Sequence, residues 1–449
     1  MVSVLSQYAA RAVPRYTSYP TAPHFRPDLG AETYAGWLER LDPTEPVSLY
    51  LHVPFCRQLC WYCGCNMKLA TRAAPIARYC DSLIAELDLV AARLPGRFRI
   101  SHLHFGGGTP TALEPSDLAR VMATVRRRFD FAEDAEIALE GDPRTLSDEM
   151  IATVGRLGFT RASFGVQEFD PKVQAAINRI QPPDMVRRAV EGLRAAGVAS
   201  VNFDLIYGLP HQTAASLLQT IAECVAMRPD RIALFGYAHV PWMAKKQRLI
   251  DEAALPGSTA RIEQATAAAE ALVAAGYEAI GLDHFALPAD DLAVAAAAGR
   301  LRRNFQGYTT DQPNALLGVG ATSIGRTPFG YVQNIAETGA WARAVGEGRF
   351  PIGKGHAYRG DEPLRAHVIE ELMCQGHIDL AAARARYGAP PDALADADAA
   401  LADMARDGLI VVDGDRLTLT PAGKPLVRVV AAAFDTYLQQ AAARHSVAV

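Results

Sequence analysis

A chain of 449 residues, half of them hydrophobic, exceeds one ordinary domain, so two domains or one barrel with an appendage are expected. Lys and Arg number 45 against 49 Asp and Glu, a net charge of -4, which argues against a general nucleic-acid binder because that affinity rests on neutralising phosphates. Seven Cys make a poor disulfide framework and suit a reducing compartment, and neither a signal peptide nor a membrane-spanning apolar run is visible, so a cytoplasmic protein is expected.

Residues 1–27 carry Arg11, Arg15 and Arg26 and no acidic residue. Pro14, Pro20, Pro23 and Pro27 oppose helix, so the segment reads as an extended arm, either a disordered terminus or a docked one. Tyr16, Tyr19 and Phe25 favour docking. From Ser48 a strand–helix alternation begins. The expected strands are Ser48–Phe55, Ile100–Phe105, Ala135–Glu140, Ala162–Val166, Val201–Tyr207 and Arg231–Tyr237. Between them the sequence predicts helices over Pro75–Leu94, Pro115–Phe129, Ser147–Leu157, Met185–Ala196 and Ala214–Ala226. Such a series implies parallel strands joined by right-handed crossovers.

A further helix, Gly257–Ala275, leads to a strand over Tyr277–Asp283 and then to the basic stretch Leu292–Thr310 with Arg300, Arg302 and Arg303. Beyond about Ala340 the texture turns to alanine-rich helices, including Ala393–Arg406. Leu409–Val412 and Arg416–Thr420 then flank a turn and read as a hairpin. Helices with a hairpin predict a winged-helix-like C-terminal domain. The acidic balance favours a packing role for it over DNA binding.

The chemistry is concentrated at the end of the first strand, where Cys56, Cys60, Cys63 and Cys65 fall within ten residues. The spacing C-x3-C-x2-C lets three thiolates converge on one centre. They can hold three irons of a four-iron cube and leave the fourth open, although protein-held clusters normally take four Cys. The alternative is a structural zinc site on all four sulfurs, but zinc usually takes two separated C-x2-C pairs. Gly106-Gly107-Gly108-Thr109-Pro110 closes the second strand, a turn through which backbone can approach a ligand. Glu140 and Gln167 end the third and fourth strands. Asp204 lies among apolar neighbours in the fifth and needs a partner if buried.

The Cys56–Cys63 spacing is the signature of radical S-adenosylmethionine (SAM) enzymes. Three phrases narrow the likeness: Cys63-Gly64-Cys65-Asn66, the arm Arg15-Tyr16-Thr17-Ser18-Tyr19-Pro20-Thr21, and Arg303-Asn304-Phe305-Gln306-Gly307-Tyr308-Thr309-Thr310. Together they resemble the oxygen-independent coproporphyrinogen III oxidases, from about Arg15 to about Leu438. That resemblance implies an α/β fold, a partial (β/α)6 radical SAM barrel carrying an N-terminal arm and a mainly helical, winged-helix-like C-terminal domain. The expected divisions are 1–47, 48–335 and 336–449. It implies one 4Fe-4S cluster on Cys56, Cys60 and Cys63, with Cys65 outside the ligand set yet catalytically involved. It also implies two SAM molecules. The first would be met by Tyr50, Gly107, Glu140 and Ile324, and the second by Tyr62, Gly108, Thr109, Gln167, Arg179, Asp204 and Ala238.

The activity implied is oxidative decarboxylation of two propionates of coproporphyrinogen III to vinyl groups, giving protoporphyrinogen IX. The partners are then that substrate, an electron donor for the cluster and a terminal electron acceptor, in a monomer without nucleic acid. On general grounds Glu140 could instead be spent on a salt bridge to Arg144 or Arg179. Other readings of the chain are a haem-trafficking radical SAM relative that binds a tetrapyrrole without converting it, and a zinc-stabilised interaction module. Gly141 and the segment Gly325–Gly330 depart from the family pattern. For a substrate with four propionates, the acid-free arm and Leu292–Thr310 are the expected basic partners, with their Tyr and Phe rings against the tetrapyrrole.

Overall fold

The computed structural model describes residues 7–438, and its centre is a twelve-stranded sheet. Six parallel strands lie side by side in chain order: β1 (Val47–Val53), β2 (Arg99–Gly107), β3 (Asp130–Gly141), β4 (Arg161–Gln167), β5 (Ser200–Tyr207) and β6 (Arg231–Gly236). The helices α1 (Ala73–Arg93), α2 (Pro115–Arg128), α3 (Asp148–Arg156), α4 (Pro183–Ala195) and α5 (Ala214–Met227) connect them, and α6 (Ser258–Ala274) follows β6. All six strands and all six helices stand within a few residues of their expected positions.

Alternation along the strands separates an apolar face from a polar one. In β1, Val47, Leu49, Leu51 and Val53 are at most 1% exposed in the core shared with the helices. Ser48, Tyr50 and His52 take the opposite face. There the polar residues of successive strands bond to one another. Arg161 Nε donates to Glu136 Oε2 at 3.0 Å, and Asn202 Nδ2 donates to Ser163 Oγ at 2.7 Å. His102 Nδ1 stands 3.2 Å from Asp311 Oδ1. The partial barrel therefore has a polar lumen within an apolar shell.

Both ends of the parallel set are extended. Leu316–Val319 pairs parallel with β1, and Ile324–Thr327, Gly330–Asn334 and Ile352–Ala357 follow antiparallel. The sheet thus runs past residue 335, where the sequence suggested a boundary. At the other end the single strand expected over Tyr277–Asp283 is broken into Glu278–Ile280 and His284–Ala286, an antiparallel pair whose second member lies on β6. Gly281, at φ +61°, makes the reversal, and a Cβ there would lie 2.1 Å from Tyr308 Cζ.

A second core belongs to the C-terminal helices and the three-stranded sheet His377–Asp379, Arg416–Leu419 and Ile410–Asp413, a winged-helix-like arrangement. The helix expected from Ala393 starts only at Asp398, because Leu394 is left-handed at φ 79° and a 3-10 turn intervenes. The described part of the arm docks. Tyr8, Val13, Tyr16 and Tyr19 are buried in this second core, and Phe25 stacks on Tyr331 with centroids 5.5 Å apart. The Tyr16 hydroxyl donates to Asp435 at 2.9 Å, and Tyr19 meets Thr436 at 3.0 Å.

One buried carboxylate ties the extension to the barrel. Glu86 of α1, 1% exposed, accepts from Gly320 N at 2.8 Å, Trp341 Nε1 at 2.8 Å and Asn334 Nδ2 at 2.5 Å. Burial pushes its pKa up to about 7 against the pull of these three donors. Replacing Glu86 by Leu would strand Gly320 N and Trp341 Nε1, at about 1–3 kcal/mol for each buried donor left unmet, while Asn334 Nδ2 keeps Gly320 O at 2.9 Å. Thermal unfolding should register a loss of at least about 2 kcal/mol for Glu86→Leu, from two such donors, and an unchanged midpoint would contradict this role.

Candidate active site

The candidate residues gather where the parallel strands end, the edge on which barrels of this kind carry their chemistry. β1 runs through Pro54 into Phe55 and Cys56, which pair with Lys68–Leu69, so the cysteine loop leaves and rejoins the barrel at one point. Three contacts stitch it down. Asn178 Nδ2 donates to Leu59 O at 2.7 Å, Trp61 N to Ile177 O at 3.0 Å, and Gln247 Nε2 to Tyr62 O at 2.7 Å. Gln247 also donates to Ala238 O at 3.1 Å, bringing two expected SAM-site residues, Tyr62 and Ala238, onto one amide.

The sulfurs are not equivalent. Cys60 Sγ accepts from Arg144 Nη2 at 3.2 Å and Arg179 Nη1 at 3.3 Å, and both guanidinium groups also face Asp142. Cys56 Sγ stands 3.4 Å from Thr109 Oγ1, and burial pushes its pKa up to about 11. The Cys65 thiol hydrogen bond, with help from Lys246, outweighs burial at Cys63 and brings that pKa down to about 6. Cys65 itself is exposed, its N–H donating to Cys63 Sγ at 3.4 Å.

Glu140 is not spent on arginine. It accepts from Gly107 N at 3.2 Å and meets His104 Nε2 at 3.2 Å, while Asp142 takes both Arg144 and Arg179. Burial works to raise the Glu140 pKa, but the His104 contact and the Gly107 N–H hold it below the usual carboxylate range. Beside it the Tyr50 ring stacks on His104 at 6.0 Å, and its hydroxyl meets His52 Nδ1 at 3.0 Å. Asp204 accepts from Asn202 at 3.0 Å, and burial, then Glu140, raise its pKa to about 6. Gln167 sits at φ 69° with its buried Oε1 unpartnered, as is Arg179 Nε. Ile324 opens the strand beyond Leu316–Val319. Its backbone lies against Gly318, which is paired with Tyr50.

The glycine turn is a cradle rather than slack chain. Gly107 has φ +117°, and a Cβ on it would lie 2.6 Å from His52 Cε1. A Cβ on Gly108 would lie 2.8 Å from Phe55 O. At Gly141 the space is already filled, since an added Cβ would meet Phe164 Cε1 at 2.9 Å. His52, His104, Asp142 and Asn202 escaped the sequence reading. For all but Asp142 the period of two polar residues along β1, β2 and β5 was the available signal. The basic segments also behave differently from expectation. Arg300 is exposed, Arg302 is bound by Glu370 at 2.8 Å, and Tyr16 and Tyr19 are largely enclosed in the second core.

Comparison with known proteins agrees with this geometry. The radical SAM superfamily profile matches residues 50–224 and the HemN C-terminal domain profile residues 359–426. An oxygen-independent coproporphyrinogen III oxidase of Bradyrhizobium diazoefficiens is 50% identical over 442 residues, covering 98% of each chain. The chain belongs to the oxygen-independent coproporphyrinogen III oxidase family. The Escherichia coli relative of the same name is 40% identical over 431 residues, covering 96% of this chain and 94% of its own. The solved coproporphyrinogen III oxidase (HemN) of Escherichia coli, described as a radical SAM enzyme, superposes with a TM-score of 0.90 at 36% identity. That match covers 95% of this chain and all of the other.

A 4Fe-4S cluster and SAM come with this membership. The donor set fits them. Three cysteines leave one strand end, one sulfur faces two buried guanidinium groups, and the glycine cradle and the unpartnered Gln167 Oε1 lie beside them. Among the described residues no three His, Cys, Asp or Glu side chains are drawn together as the ligands of a single ion, and no helix is long and apolar enough to cross a membrane.

In Gly107→Val, strain at positive φ of about 1–3 kcal/mol adds to the contact with His52. SAM affinity should fall about tenfold or more while the cluster absorbance persists, and equilibrium dialysis with labelled SAM would show it.

Proposed function

We propose that this chain is an oxygen-independent coproporphyrinogen III oxidase that converts two propionates to vinyl groups and yields protoporphyrinogen IX in the cytoplasm. The observation that carries the reading is the joint placement of the cysteine loop, the Gly106–Gly108 cradle and Glu140 at the ends of three adjacent strands, in a chain of which 98% aligns with the Bradyrhizobium oxidase. Cys56, Cys60 and Cys63 would hold the cluster. When bound, cluster and SAM would supply the chemistry of hydrogen-atom removal at the propionate β-carbon, with carbon dioxide and one electron, passed to an acceptor, lost for each vinyl group.

The chain's own residues bind, orient and shield. Arg144 and Arg179, which donate to Cys60 Sγ, would answer the negative charge of a cluster thiolate there. The Gly107 N–H and His104 keep Glu140 ionised and turned to the cradle, where it can accept from an ammonium or a ribose hydroxyl. Tyr50 and Ile324 wall that side. Gln167, Asp204 and the Gln247-bridged pair Tyr62 and Ala238 line the other, where a second SAM would lie. No side chain need remove a proton, since the hydrogen leaves as an atom. The lumen accordingly presents carboxylates and imidazoles already committed to each other.

Anaerobic reconstitution followed by SAM, reductant and coproporphyrinogen III should give 5′-deoxyadenosine and a divinyl product in step. Tetrapyrrole binding without vinyl formation would overturn the reading. Ser at Cys56, Cys60 or Cys63 should abolish iron retention and SAM cleavage. Ser at exposed Cys65 should leave the iron content intact and lower turnover at least about tenfold, the scale of a lost positioning contact. Iron assays on the four variants decide the ligand set.

A further inference from the structure

A cavity of about 300 Å³ lies between the arm, the hairpin that begins at Arg302 and the C-terminal helix Glu362–Gln375. Arg303 and Arg326 both line it, and both line a smaller cavity adjoining it. Arg303 is 7% exposed. Its Nη2 donates to Arg15 O at 3.4 Å and its guanidinium covers the Tyr308 ring at 4.4 Å, but Nε and Nη1 are buried with no partner. A buried cation with two orphaned donors is costly unless an acceptor arrives. Arg326 enters no ion pair among the described residues, and the carboxylates that act on it, Glu370 and Asp311, are shared with other partners. Glu370 accepts from Arg302 at 2.8 Å and from Arg303 N at 3.2 Å. Asp311 is held by Ser48 and by His102 at 3.2 Å. The larger cavity sets four arginines, Arg302, Arg303, Arg326 and Arg386, against two carboxylates, Glu370 and Glu371, an excess of two positive charges.

We infer that Arg303 and Arg326 seat the two carboxylates of the tetrapyrrole that do not react, and so select which pair of propionates is presented to SAM. This rests on the function proposed above. Two of four propionates persist in that reaction, matching the excess of two positive charges that line the cavity. The placement fits as well. Arg326 and Ile324 share one strand and one face, about 7 Å apart at two strand residues. Ile324 is packed against Gly318, opposite Tyr50, so the carboxylate seat lies about one strand repeat from the proposed SAM wall. Asp311, on the smaller cavity, contacts the lumen residues Ser48 and His102, so the two spaces adjoin. Arg forks pair carboxylates bidentately, whereas a Lys offers only a point charge.

The test uses reconstituted holoenzyme. Arg303→Gln and Arg326→Gln should each raise KM for coproporphyrinogen III about tenfold or more, the scale of a lost buried ion pair. Cluster content and SAM binding should stay as in the parent, and Lys at either position should restore binding only in part. Partly decarboxylated and misplaced vinyl products should rise as selection fails. A well-folded double variant with parental KM and product pattern would overturn the inference. Should the variants not fold, the parent enzyme still decides. Protoporphyrin IX, which carries only the two persisting carboxylates, should compete with substrate, and its dimethyl ester should not. Equal competition by the ester would sink the seat. If the parent enzyme forms no vinyl product, the proposed function itself fails, an outcome distinct from either of these.

Discussion

Everything at the strand ends depends on how a small group of buried charges closes. The side chains of Arg144, Arg179 and Asp142 are only 4%, 6% and 9% exposed. Two guanidinium groups against one carboxylate leave a positive charge in a place where water cannot answer it. Arg179 also donates to Gly165 O, and both arginines contact Cys60 Sγ. Cysteine held against two guanidinium groups suits an iron cluster, which takes cysteine as thiolate. The same charge group fixes the loop in space, because Asp142 follows β3 and Arg179 follows the short helix Pro171–Ala176 after β4. The cysteine loop is thus gripped from two strand ends beyond its own.

The lumen repeats this logic at lower intensity. A barrel strand must hide one face against helices, and the other must be satisfied without bulk water. The chain meets that demand with cross-strand pairs, His104 with Glu140, Arg161 with Glu136, Asn202 with Ser163. Such pairs keep the interior polar yet free of strong unpaired acids or bases. That suits a reaction whose reactive species would attack any loosely held group. Arg179 and Arg231 each keep one buried donor without a partner, and Arg303 keeps two, at the rim between barrel and C-terminal domain.

The arm and the C-terminal domain are one unit in packing. Tyr8, Val13, Tyr16 and Tyr19 complete a core whose other members come from residues 364–434. The arm accordingly braces one wall of the carboxylate cavity and cannot act as a free strap over it. Removing residues 1–27 would expose that core, so such a truncation would report on folding before it reported on substrate.

The sequence by itself determined the alternation of strands and helices, the identity of the cysteine loop and the glycine turn, and the family. Each is written in local spacing: a period of two or 3.6, thiols three and four apart, glycine before Thr-Pro. Residues at strand ends, Gly107, Glu140 and Gln167, were legible for the same reason, since a strand's end is a local property. What only the tertiary structure decided is who answers whom. Asp142 rather than Glu140 takes the arginines, Glu370 captures Arg302 from 68 residues away, and Arg303 is left unpaired. The Tyr277–Asp283 strand breaks because the Tyr308 ring, distant in sequence, occupies the space beside Gly281. Charge pairing and close packing depend on distances in space between residues far apart in the chain, and no local pattern encodes them.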